Sequence, residues 1–266
     1  MRDTLGRSIT YLRISVTDRC NLRCRYCMPE AGIPDRPPSE LLSFAEIADV
    51  VRAGAGLGIN KIRLTGGEPL LREGIAELIG MLSRIPGITD LALTTNGQLL
   101  AGYAEDLRRA GLHRINVSLD TVDHGDYSDL TGGGDLHRVL EGLRAADKAG
   151  LTPIKLNCVV LRSSEEPRAR AVADYARGRG YGIRFIRKMD LQRGLFWKVE
   201  GGKGGDCPAC DRLRLSSDGN LYPCLFNTVC FNVRELGSEE SLRRAVGAKP
   251  AAGTISRFQT LVAIGG

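Results

Sequence analysis

Six of the eight cysteines fall into two sets of three. Cys20, Cys24 and Cys27 stand in DRCNLRCRYCMPE with spacing C-x3-C-x2-C, and Cys207, Cys210 and Cys224 follow C-x2-C-x13-C in CPACDRLRLSSDGNLYPC. Clustered cysteines in a reducing compartment read as metal ligands rather than disulfides. Three thiolates on one loop can hold three irons of a cubane iron–sulfur cluster, leaving the fourth iron to a small molecule. Zinc is the alternative at either set and needs a fourth ligand; Cys230 can supply one at the second set. Cys158 lies in an apolar run and reads as a buried small hydrophobe.

Other residues can do chemistry beside these thiols. In LTGGEP, Leu64 to Pro69, Gly66 and Gly67 allow the backbone to approach a ligand, and Glu68 can accept from an ammonium group. SLD, Ser118 to Asp120, offers polar groups at a strand end. Arg212 and Arg214 alternate with Leu213 and Leu215, so in an extended run both guanidiniums share one face beside the second cysteine set. They can grip a phosphate or the edge of a base.

Something must position these groups, and the chain repeats one pattern for it. GLGINKIRLT, AGLHRINVSLD, AGLTPIKLNCVV and GRGYGIRFI each stop a helix at glycine and open a strand. Leu12 to Thr17 and Asp90 to Asn96 add two strands. Amphipathic stretches lie between, the first starting at Ser43 with Glu46 in the capping-box position. Six strands alternating with helices predict a parallel α/β sheet, either an open partial (β/α)6 TIM-like barrel or a doubly wound sheet. After Met189 the pattern gives way to a glycine-rich stretch. This predicts two regions, 1–189 and 190–266, the second small and ending in a short tail.

The 266 residues carry a net charge of +6, with 42% hydrophobic and 26% charged residues. This composition fits a globular domain. The absence of an apolar run of membrane-spanning length predicts no membrane segment, and the start of the sequence shows no apolar secretory signal. A cytoplasmic setting is expected. The arginines are dispersed, so nucleic acid is not the expected partner; a small polyanion needs only a few of them in one pocket.

C-x3-C-x2-C with tyrosine before its last cysteine resembles the radical S-adenosylmethionine superfamily. The resemblance implies a 4Fe–4S cluster on Cys20, Cys24 and Cys27 whose open iron chelates S-adenosylmethionine. Reductive cleavage then gives a hydrogen-abstracting 5′-deoxyadenosyl radical. C-x2-C-x-R-x-R, the third cysteine and the final Gly-Gly are together similar to the GTP 3′,8-cyclases of molybdenum cofactor biosynthesis. There, a second 4Fe–4S cluster, here on Cys207, Cys210 and Cys224, binds the guanine of GTP. A ribose hydrogen is removed, and the sugar radical attacks C8 of the purine to give (8S)-3′,8-cyclo-7,8-dihydroguanosine 5′-triphosphate.

Carried over by motif, Arg13, Arg63, Thr94, Lys155, Arg212 and Arg214 contact GTP. Tyr26, Gly66, Gly67, Glu68, Ser118 and Met189 contact S-adenosylmethionine. Gly265 and Gly266 enter the active site and help position Arg13. The strand-borne residues are expected near C-terminal strand ends. The resemblance also implies an external one-electron reductant, a downstream cyclic pyranopterin monophosphate synthase, and a monomer or homodimer. The chain departs from the family pattern in having only seventeen residues between Met189 and Cys207, and in carrying arginine at 187. A peptide-modifying radical enzyme with an auxiliary cluster, or a non-catalytic iron–sulfur nucleotide-binding relative, are the competing readings.

Overall fold

The six expected strands form in a computed structural model that describes residues 1–27 and 37–255. They are β1 (Tyr11–Ser15), β2 (Lys61–Thr65), β3 (Asp90–Thr95), β4 (Arg114–Ser118), β5 (Lys155–Val160) and β6 (Gly182–Arg187). Each pairs in parallel with the next. Gly58, Gly111, Gly150 and Gly180, the stops in the repeated pattern, all take positive φ, which costs glycine little.

Helices α1 (Phe44–Gly56), α2 (Ile75–Ser83), α3 (Leu100–Arg109), α4 (His124–Thr131), α5 (Leu136–Lys148) and α6 (Pro167–Gly178) fill the crossovers. The Ser43–Glu46 capping box forms as expected, with each partner bonding the other's backbone N–H. Helix α4 was not anticipated: its apolar residues do not fall on one clear face. It is secured at its start by Asp123, whose side chain accepts from Asp126 N.

The chain beyond Met189 carries secondary structure of its own after the glycine-rich stretch. It adds β7 (Arg212–Leu215), β8 (Asn220–Tyr222), β9 (Phe231–Asn232), α7 (Val233–Leu236) and α8 (Ser238–Gly247). Strand β7 pairs in parallel with the free side of β1, and β8 and β9 follow antiparallel. The strand order is therefore β6-β5-β4-β3-β2-β1-β7-β8-β9, an open sheet in which β1 is interior. This is a partial barrel extended at its first strand. Helix α8 buries Leu242, Ala245 and Val246 in the main core, and Arg234 of α7 pairs with Glu46 of α1 at 2.7 Å.

The two faces of the strands differ. Leu12 and Ile14, Ile62 and Leu64, Leu156 and Cys158, and Leu213 and Leu215 are buried in the common core beneath the helices. The alternate positions, Arg13, Arg63, Lys155, Asn157 and Arg214 among them, face a cavity. A parallel sheet is ordinarily apolar on both faces. Here the inner face is polar, which matches a ligand chamber in place of a packed barrel core.

Candidate active site

Two adjoining cavities occupy the inner face. The smaller, about 170 Å³, is lined by Cys20, Cys24, Cys27, Tyr26, Ser118 and Thr94, with Gly66 and Gly67 at its wall. The larger, about 490 Å³, holds Arg13, Arg63, Lys155, Arg212 and Arg214 together with Cys207, Cys210 and Cys224. Asn157, Ile186 and Met189 line both.

The smaller cavity lies at the C-terminal end of β1, where the chain leaves the strand and enters the cysteine loop. That loop rests on α4: Arg23 N donates to Thr131 O at 2.8 Å and Arg25 N to Leu130 O at 3.1 Å. Tyr26 Oη donates to Asp120 Oδ2 at 2.6 Å, and Asp120 Oδ1 accepts from Val159 N at 2.7 Å. Asp120 thus fastens the loop to β5 and does not reach for a ligand. Burial pushes its carboxyl up to about 6 despite those bonds.

The LTGGEP turn differs from its expected role. A Cβ at Gly66 would stand 2.5 Å from Thr17 O, and one at Gly67 would stand 2.2 Å from Arg19 O. Gly67 N and Glu68 N donate to those same carbonyls. The glycines therefore let this turn close onto the approach to the cysteine loop, besides lining the cavity. Glu68 lines neither cavity. Its fully buried carboxylate accepts from Leu70 N, Thr95 Oγ1 and Asn96 N, and burial pushes it up to about 7. It organises the turn from beneath, so the expected ammonium contact has no support in this geometry.

The donors around the smaller cavity fit an iron–sulfur cluster better than zinc. All eight cysteines are thiols without a disulfide. Among the described residues the cavity wall offers three of them and no histidine, aspartate or glutamate to complete a four-ligand zinc site. Cys20 Sγ accepts from Leu22 N at 3.5 Å and Asn96 Nδ2 at 3.9 Å. Without a metal, burial and the neighbouring thiols push Cys24 up to about 12; Cys27 reaches about 12 by burial, Cys20 and Asp120. Among the described residues no three histidine, cysteine or acidic side chains converge as a single-ion site.

The larger cavity sits lower than expected. Tyr11, Lys61, Lys155 and Arg212 are the first residues of their strands, and Arg13, Arg63 and Arg214 are central. These groups line the middle and N-terminal part of the inner face, not the C-terminal ends. The open sheet leaves this depth accessible, whereas a closed barrel would fill it with side chains. The second cysteine set lies at the same low end. Cys207 and Cys210 precede β7, and β8 runs back along it (Arg214 opposite Tyr222), so Cys224 returns beside them. Lys249 Nζ clamps this arrangement, donating to Arg212 O at 2.7 Å and Pro223 O at 2.8 Å. Arg7 Nη1 donates to Cys207 O at 2.8 Å. Burial pushes the Cys210 thiol up, but Lys249 and Arg212 with its backbone N–H outweigh this and leave it below its ordinary value. Cys230 does not line the cavity; it packs against Leu191, Tyr222, Leu225 and Phe226.

Among the described residues ten cationic side chains line the larger cavity against three carboxylates. Arg114 is neutralised by a paired contact with Asp90, at 2.8 and 2.6 Å. Burial, Arg214, Arg63 and Arg212 pull Arg13 down to about 9, and burial and Arg212 pull Arg214 down to about 10. Buried polar atoms without a hydrogen-bond partner among the described residues gather here as well: Asn116 Nδ2, Asn157 Oδ1, Arg184 Nε and Arg212 Nε. Such a surface is arranged for a polyanion with further polar groups. Thr94 differs from the other expected nucleotide contacts: it lines the smaller cavity, within 3.5 Å of Arg63 Nη1.

Sequence reasoning passed over Lys61, Arg114, Asn116, Asn157, Arg184 and Lys249. The first five occupy the same alternating positions as Arg13 and Arg63, a signal that was available. Lys249 left no such trace. Arg187, unusual for the resemblance, stacks on Trp197 at 3.9 Å to the ring centre and lines the smaller cavity. Gly265 and Gly266 lie outside the described residues.

An open parallel barrel with a three-cysteine loop after its first strand defines a radical S-adenosylmethionine protein, and the Radical SAM superfamily profile matches residues 14–175. Solved structures of Streptococcus suis SuiB bound to S-adenosylmethionine and of native anSMEcpe with bound AdoMet share the fold. Their TM-scores are 0.65 and 0.64 at 17% and 15% identity; the match covers 95% and 91% of this chain and 67% and 81% of theirs. A curated GTP 3′,8-cyclase of Alkaliphilus metalliredigens is 42% identical over 267 positions, covering 85% of this chain and 83% of the relative. That of Pelotomaculum thermopropionicum is 40% identical over 302 positions, covering 96% and 91%. The chain belongs to the radical S-adenosylmethionine superfamily and, within it, to the GTP 3′,8-cyclase family. Both alignments are longer than this chain's share of them by several tens of positions, so the relatives carry internal stretches absent here.

Proposed function

We propose that this chain is a radical S-adenosylmethionine GTP 3′,8-cyclase. The observation that carries the reading is the shared wall of Asn157, Ile186 and Met189 between a three-thiol cavity and a cationic one. Radical transfer requires the source and the target to lie in contact, and that wall is where they would meet.

In this reading Cys20, Cys24 and Cys27 hold the first 4Fe–4S cluster. Tyr26, Gly66, Gly67, Ser118 and Met189 border the bound S-adenosylmethionine. A reduced cluster with S-adenosylmethionine supplies the 5′-deoxyadenosyl radical that takes a ribose hydrogen. Arg13, Arg63, Lys155, Arg212 and Arg214 bind GTP, with Lys61 and Arg184 beside them and Thr94 at the junction. These cations fix the triphosphate, so that the nucleoside presents a defined face to the radical source. Cys207, Cys210 and Cys224 hold a second 4Fe–4S cluster, and the region after residue 189 is an auxiliary substrate-binding part. The glycine-rich stretch at 201–205 lines the larger cavity and gives it a short side wall.

The reaction needs an external one-electron reductant, and its product passes to a cyclic pyranopterin monophosphate synthase. Among the described residues no helix is long and apolar enough to cross a membrane. We place the enzyme in the cytoplasm, the reducing setting in which cluster-ligating thiols persist. Anaerobic incubation with reductant and S-adenosylmethionine tests the function. 5′-Deoxyadenosine formation should depend on GTP and accompany a cyclised nucleotide. Dependence on a peptide, or no dependence on GTP, would refute it.

A further inference from the structure

We propose that Tyr11 is a positioning residue that holds Arg63 and Arg212 aimed into the larger cavity before an anionic substrate enters. The proposal rests on the reading that a nucleoside triphosphate occupies that cavity. Tyr11 opens β1 and lies in register with Arg212 on β7 and Lys61 on β2. Its ring stands between two guanidiniums, with the Arg63 carbon 5.7 Å and the Arg212 carbon 5.6 Å from the ring centre. Both distances lie within the range of cation–π attraction. Tyr11 Oη also accepts a hydrogen bond from Arg63 Nε. One side chain thus touches two cations carried by strands on either side of its own.

The choice of a phenol has a physical consequence. A carboxylate at this place would pair with the guanidiniums, and the phosphates would then have to displace it. A neutral phenol takes the Nε–H of Arg63, while ring attraction orients both forks without adding a counter-charge of its own. Arg63 Nη1 has a further contact, a long one of 3.5 Å to Thr94 Oγ1. Arg212 Nε makes only a long ion pair with Asp211 Oδ1, 3.8 Å and beyond hydrogen-bond length, and has no hydrogen-bond partner among the described residues. Burial pushes the Tyr11 phenol up, but Arg13, Arg63 and Arg212 more than offset this and leave it below its ordinary value. Three cations thus bear on one phenol.

Tyr11→Phe removes the acceptor oxygen and keeps the ring; Tyr11→Leu removes both. Calorimetric titration of the anaerobically reconstituted protein with inorganic triphosphate and with GTP reads the effect, and melting temperature serves as control. Tyr11→Phe should weaken both ligands by about tenfold, the scale of losing one hydrogen bond to a charged group. Tyr11→Leu should weaken both further. The KM for GTP should rise by the same factor with kcat nearly unchanged, and the melting temperature of Tyr11→Phe should stay at the wild-type value. Wild-type affinity in Tyr11→Phe overturns the proposal. So does a loss confined to Tyr11→Leu and matched by a lower melting temperature, which is the mark of simple packing. A wild-type chain that binds neither ligand overturns both this proposal and the functional reading. A wild-type chain that binds triphosphate but forms no cyclised product overturns the functional reading alone.

Discussion

Arg13 and Arg214 are register partners on adjacent parallel strands, and Arg63 partners Arg13 on its other side. Three guanidiniums therefore stand abreast across β7, β1 and β2. Like charges placed directly opposite on neighbouring strands destabilise a sheet. A row of this kind is intelligible where a polyanion is to be bound.

This row predicts a trade between stability and binding. Arg13→Met or Arg214→Met should raise the stability of the ligand-free protein by roughly 0.2–1 kcal/mol, the scale of a relieved cross-strand repulsion. Each should weaken GTP binding by about 1–3 kcal/mol, the cost of a lost charged hydrogen bond. Denaturant unfolding and nucleotide titration measure the two effects. A destabilised variant with wild-type GTP affinity would assign the row to structure.

Iron content should separate the two cysteine sets. Anaerobic reconstitution is expected to give about eight irons per chain, as for two cubane clusters. Serine at Cys20, Cys24 or Cys27 should abolish cleavage of S-adenosylmethionine, while serine at Cys207 or Cys224 should halve the iron and retain uncoupled cleavage. About four irons with zinc at the second set would leave a single cluster.

Lys249 is nearly fully buried and ties two carbonyls beside the second cysteine set. Lys249→Met should therefore lower iron at that set and leave the first cluster's absorption in place. Breaking the two charge-assisted bonds should also cost about 1.5–3 kcal/mol apiece. Unchanged iron and unchanged melting would show that the clamp is redundant.

Glu68 makes stability depend on pH. Burial raises its carboxyl from the ordinary 4.5 to about 7, against the bonds from Asn96, Thr95 and Leu70. The folded chain therefore keeps a proton that the unfolded chain releases. The stabilisation is complete below 4.5 and is lost as pH rises through about 7. Urea unfolding of the metal-free chain should weaken across that window by at most roughly 1.4 kcal/mol per pH unit for this group. Glu68→Gln should be less stable throughout, since three donors face the carboxylate, and should lose this part of the slope. Parallel pH curves for the two proteins would show that Glu68 does not titrate there.

The sequence alone determined what is local. Cys20, Cys24 and Cys27 lie within one loop, so their joint chemistry follows from spacing. The glycine stops, the six strands and the capping box at Ser43 depend on neighbours a few residues apart. The polar inner face was also written in the alternation of Arg13 with Leu12 and Ile14, and of Arg212 and Arg214 with Leu213 and Leu215.

Tertiary structure decided which distant groups meet. The parallel pairing of β7 with β1 joins residues some two hundred positions apart and sets Arg214 beside Arg13. No periodic pattern records such a contact, because either strand would show the same alternation against another neighbour. Glu68 read as a ligand because its type permits it; burial and three donors turned it inward. Helix α4 had no clear apolar face, yet its terminal carbonyls hold the cysteine loop. Residue type and spacing specified the chemistry available, and packing of remote segments chose which groups face the substrate and which support them.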